Sequence, residues 1–189
     1  MEPSNELTAN QSLELISRMI REAKGRVQAN SFYYLLWGWV ILLANLGMFT
    51  LSRIGYERPY VIWLITIPAW IISLVWGFRK RRSATAATHF ERVSSALWVS
   101  LGVVIFTLVA FGSQINYQLG PIILMISAIP TFTSGVILKF KPLVVGGVLF
   151  WIAGIVSFLL PREFQPLVGA IAIACCYLVP GYMLKNRRD

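Results

Sequence analysis

Few side chains in this chain of 189 residues have the types and spacing to do chemistry, and nearly all lie outside its apolar stretches. His89 and Glu91 form a His-x-Glu pair, but no second cluster of metal ligands or acid–base groups accompanies them. His89 is the only histidine, so no two-histidine metal site and no Ser-His constellation is available for hydrolysis. The two cysteines are neighbours, Cys175-Cys176, a spacing that gives neither a relaxed disulfide nor a zinc set. Two small buried hydrophobes is the simpler reading. All eight carboxylates lie outside the apolar runs. A proton-coupled carrier needs an ionisable group at membrane depth, and a voltage sensor needs arginines there. The chain offers neither, so the expectation is a non-enzyme with no metal and no cofactor.

The elements that would position any site are membrane helices. Hydrophobic residues make up 57% of the chain and charged residues 13%, far from the balance of a water-soluble domain. About 20 apolar residues cover the ~30 Å hydrocarbon layer at 1.5 Å per residue. Six uncharged stretches come to that length with some tilt: 32–51, 59–78, 93–111, 121–138, 143–160 and 167–184. They are continuously apolar instead of alternating, which favours helix over strand. The expected fold is therefore all-α: a six-span transmembrane bundle over 31–185, a preceding amphipathic helix within 1–30 and a short tail at 186–189. Some 30 mostly polar residues come first, unlike a cleavable signal.

Lysines and arginines divide unequally between the two sides. Fourteen fall on the side of both termini and three, Arg53, Arg58 and Arg162, on the other. By the positive-inside rule both termini are expected on the cytoplasmic side. That division accounts for most of the net charge of +9 and removes the reason to invoke nucleic acid. The run Arg79, Lys80, Arg81 and Arg82 is the expected contact with anionic lipid. Tyr33, Tyr34, Trp37, Trp39, Trp76 and Trp98 fall near the basic boundary, and Tyr56, Tyr60, Trp63, Tyr117 and Phe164 near the other. They read as aromatic belts.

Within the spans, Asn45 is the strongest hydrogen-bonding side chain, suited to an interhelical bond or to a ligand or water contact. Pro68 and Pro130 fall near mid-span, each nine residues after Pro59 or Pro121, and are expected to kink their helices. That match suggests three tandem helical hairpins, and matched kinks can mark a carrier's binding site. Gly147 with Gly154, and Ala170 with Ala174, are small residues that let helices approach.

In the N-terminal segment Leu13, Ile16, Ile20, Ala23 and Val27 follow 3-4-3-4 spacing and share one helical face. Glu14–Arg18 and Glu22–Arg26 support that helix, and Asn30-Ser31 can turn the chain into the first span. The apolar face suits lipid, a cytoplasmic protein partner or a second copy. The segments Asn5-Glu6-Leu7-Thr8, Gln11-Ser12-Leu13, Met19-Ile20 and Ser31-Phe32-Tyr33-Tyr34-Leu35-Leu36-Trp37-Gly38-Trp39 resemble a family of small, uncharacterised bacterial integral membrane proteins. The resemblance implies the same six-helix architecture and brings no catalytic or binding residue.

Two functions are compatible with these features. The first is a regulatory or interaction module with its polar segments on the cytoplasmic side. The second is a carrier or channel for a small neutral or hydrophobic solute, resting on Asn45, Pro68 and Pro130.

Overall fold

Backbone amides that leave water must find partners within their own segment, and long uncharged stretches meet that demand as helices. The computed structural model describes residues 9–83 and 89–186, with side chains at 31–79 and 93–186. The described residues are helical with no strand, and six helical stretches are long and apolar enough to cross a membrane. They are α1 (Ala9–Arg53), α2 (Thr66–Ser83), α3 (His89–Ala110), α4 (Leu119–Ile137), α5 (Lys141–Leu159) and a composite sixth. The sixth joins α6 (Gln165–Ile173), a π-helical segment (Ala174–Leu178) and α7 (Val179–Lys185).

Helix α1 departs from expectation. It runs unbroken through Asn30-Ser31, where the sequence suggests a turn. Asn and Ser cost only a few tenths of a kcal/mol each in a helix interior, and Gly25 about 1 kcal/mol. None of these is a stop signal with helix on both sides. At 1.5 Å per residue the 45 residues make a rod of about 67 Å, roughly twice the hydrocarbon thickness.

Two antiparallel pairings organise the bundle. Along α1 and the sixth stretch, Gly38 meets Leu178 and Asn45 meets Gly169, and Arg53 meets Glu163 in the 3₁₀ turn (Arg162–Phe164) that leads into it. Residue numbers step in opposite directions, so the register holds from one end of the bundle to the other. The closest pair is α4 with α5. Here Gly135 lies against the backbone of Leu143 and Val144, Gly147 against that of Phe132, and Gly154 against Met125. A Cβ at Gly147 would stand 2.6 Å from the Phe132 Cβ. Gly147 and Gly154 thus do what their spacing suggested.

Both pairings cross the boundaries of the three expected hairpins, so the apparent tandem repeat is not the packing unit. The core sits among α1, α4, α5 and the sixth stretch, with Phe150, Leu143, Leu184 and Cys176 fully enclosed. Helices α2 and α3 lie at the periphery. Only 6% of each of their apolar windows is buried, against 56% for the sixth stretch. Helix α2 leans on α1 through Phe32 stacked on Trp76 at 4.5 Å and a Trp37 Nε1–H bond to the Ser73 hydroxyl of 3.1 Å. Helix α3 packs on α4, and its Gly102 receives the rim of Trp70 from α2.

Candidate functional site

Toward the basic end the sixth stretch leaves α-helical geometry. Pro180 has no N–H to donate to the carbonyl four residues back, that of Cys176. The backbone responds by widening one turn: Val179 N–H reaches the Ala174 carbonyl five residues back, closing the π segment Ala174–Leu178. The Cys176 carbonyl then points at α5, where a Cβ on Gly146 would stand 2.5 Å from its oxygen. Glycine at 146 makes that approach possible.

The widened turn projects Tyr177 into an aromatic cluster. Its ring lies 4.9 Å from Tyr34, 6.0 Å from Trp98 and 6.2 Å from Phe150, measured between centroids. The Tyr34 and Trp98 rings meet edge to face at 6.1 Å. Such geometry adds about 0.5–1.5 kcal/mol per pair beyond burial. Tyr34 is 5% exposed and Tyr177 8%, so Tyr34 is a core residue and not part of an aromatic belt. Trp37 and Trp98 also turn inward, against the core. The Ser134 hydroxyl of α4 faces Tyr34 at a geometry outside a formed hydrogen bond. The buried Ser157 hydroxyl of α5 likewise has no partner among the described residues.

Asn45 is buried where α1 crosses α6. Its Nδ2 donates to the Ile41 carbonyl at 2.9 Å, and its Oδ1 fills the space beside Gly169 that a Cβ would need. The side chain keys two helices together. Pro68 and Pro130 are not equivalent in the structure. Pro130 is buried inside α4, whereas Pro68 is exposed in the first turn of α2. A tight 3₁₀ helix, Pro59–Ile65, precedes that turn, so Pro68 meets little steric objection and is not mid-helix. The structure therefore brings Asn45, Pro68 and Pro130 to three separate places.

Beside the aromatic cluster, on the outer surface of the bundle, α1 and α7 leave a groove of about 470 Å³. Phe32, Leu35, Leu36, Trp39 and Val40 line it, with Ser31 and Lys185. Trp39 Nε1–H donates to the Tyr182 hydroxyl at 3.0 Å across the two helices. Gly181 packs on Leu35 and Tyr34, so in the antiparallel register Lys185 lies opposite Ser31.

Other expected positions fall at the edge of what is described. Leu13, Ile16, Ile20, Ala23 and Val27 lie on α1, but their side chains are outside the described residues. The same holds for Lys80, Arg81, Arg82, His89 and Glu91, while Arg79 is exposed. Among the described residues no group of histidine, cysteine or carboxylate side chains could hold a metal ion.

Two contacts at the opposite end had no strong sequence signal. Gln165 Nε2–H donates to Gln118 Oε1 at 2.8 Å, tying the start of α6 to the turn before α4. Arg53 pairs with Glu163 at 3.5 Å and lies over the rings of Phe49 and Phe164. The charge of each residue was visible, but a separation of 110 positions hid the Arg53–Glu163 partnership.

Comparison with known protein families, curated proteins and solved structures returns no match for this chain.

Proposed function

We propose that the chain is a multi-pass protein of the bacterial cytoplasmic membrane, without enzymatic activity and with both ends in the cytoplasm. It serves there as a regulatory or interaction module. The observation that carries this reading is the unbroken course of α1, which joins residues 9–30 to the buried core of the bundle. Tyr34, Gly38 and Asn45 of that one helix engage the sixth stretch, and Arg53 engages Glu163 just before it. A partner or lipid surface that grips the N-terminal half would therefore act directly on the core. The fourteen-to-three division of cations and the positive-inside rule support the orientation.

Reporter fusions at both ends test the topology, and a periplasmic signal from either end refutes it. Deleting residues 1–29 tests the function. Loss of a defined, reciprocally verified protein partner, with the bundle still folded in the membrane, is the expected result. Unchanged cellular behaviour after that deletion would remove the basis for the proposal.

A further inference from the structure

We propose that the groove between α1 and α7 is a binding site for one anionic glycerophospholipid of the leaflet at the basic end. The inference rests on the membrane reading above and adds a place and a ligand class to it. Three features of the groove agree. Its walls, Phe32, Leu35, Leu36, Trp39 and Val40, are apolar and so match acyl chain, not water. From Ser31 to Val40 it rises nine residues, about 13 Å of helix, close to half of a ~30 Å hydrocarbon layer. One leaflet's chain fits that height, and a solute crossing the membrane gains nothing from a groove that stops midway.

The third feature is charge placement. Among the described residues Lys185 is the groove's only ionisable lining side chain, and it sits at the mouth, opposite Ser31, at the end where the apolar stretch gives out. A phosphate at headgroup level meets that ammonium while the chain below meets no charge. Deeper in the groove the Tyr182 hydroxyl accepts from Trp39 across the two helices. Trp39 itself is fixed by this bond, so the wall is formed before the lipid arrives.

The test uses the full chain purified in mild detergent and exchanged into nanodiscs of phosphatidylcholine containing a minor fraction of phosphatidylglycerol. Native mass spectrometry of the released protein should show one retained phosphatidylglycerol per chain. Lys185→Gln should reduce that retention about fivefold at low salt, the effect of one cation near an anionic headgroup. Lys139→Gln, an exposed cation at the same end but outside the groove, should leave it unchanged. With wild-type protein, phosphatidylglycerol carrying a diazirine in its acyl chain should label 31–40 more heavily than the equally apolar, exposed surface of 66–79.

Equal losses from both lysine variants, or equal labelling of both segments, overturn the site in favour of diffuse charge and ordinary annular lipid. Displacement of the retained lipid by soluble glycerol phosphate overturns it in favour of a free-phosphate site. Failure of the chain to remain in membranes after alkaline extraction defeats the membrane reading. A membrane-resident chain that retains no lipid defeats only the groove.

Discussion

The carbonyl of Cys176 and the Cα of Gly146 face one another so closely that a methyl group on Gly146 would stand 2.5 Å from the oxygen. Pro180 has released that carbonyl from its own helix, and glycine in α5 receives it. Gly146→Ala should therefore lower stability by about 1–3 kcal/mol, the usual range for overpacking a tight core. Gly120→Ala is the control, because its Cβ would meet Gln165 Oε1 at an ordinary 3.6 Å. Thermal unfolding in a single detergent measures both. Equal midpoints would mean that α5 can give way at position 146.

Pro180→Ala restores an amide that can bond the Cys176 carbonyl. Closing the wide turn to regular α-helix shifts the register by one residue, about 100° around the axis. Tyr177 would then leave the rings of Tyr34, Trp98 and Phe150. The expected sign is a changed near-ultraviolet circular dichroism spectrum and altered tryptophan emission. An unchanged spectrum would show that tertiary packing, and not the proline, holds the π segment open.

Asn45 and Gly169 should behave as a coupled pair. Gly169→Ala pushes a methyl to 2.7 Å from Asn45 Oδ1, and a loss of 1–3 kcal/mol is expected. Asn45→Ala removes both the obstacle and the bond to Ile41. The double variant should be less destabilised than the two single losses added together, by at least about 0.5 kcal/mol. Strict additivity would show that α1 and α6 adjust independently.

Arg53 and Glu163 are each about half exposed, so their ion pair is largely screened by solvent. Arg53→Ala should cost less than about 1 kcal/mol, most of it from the lost stacking over Phe49 and Phe164. Raising the salt concentration should hardly change the difference between wild type and variant. A strong salt dependence would assign the contact to the carboxylate instead.

Spin labels at positions 10 and 30 test whether α1 is one rod. Twenty residues of helix separate them by about 30 Å, and pulsed dipolar spectroscopy should show a narrow distribution there. A turn at Asn30-Ser31 would leave this distance intact, so a second pair at 20 and 40 is needed. It too should read about 30 Å with the helix straight, and markedly less with a turn.

The six long apolar helices were legible because the fitness of a segment for hydrocarbon depends on length and composition, both plain in the sequence. The runs at 93–111, 121–138 and 143–160 end within a few residues of α3, α4 and α5. What lay hidden was contrast within a helix. In a soluble protein the polar face marks the inward one by difference, but Tyr34 and Trp39 look alike along an apolar run. One is core and the other is exposed beside α7. The π segment was equally silent, since Pro180 signals a lost hydrogen bond but not how the backbone will make up for it. Asn30-Ser31 misled for the opposite reason: two mild residues carry too little free energy to stop a helix that both flanks favour.

The length of α1 has a mechanical corollary. With residues 31–53 packed in the bundle, the preceding 22 residues continue the same helix for about 33 Å. A tilt of five degrees at its root carries the tip sideways by roughly 3 Å, from simple geometry on that length. The same lever works in reverse: a small sideways force applied near its N-terminal end acts as a torque on the helix that seats Tyr34 and Asn45.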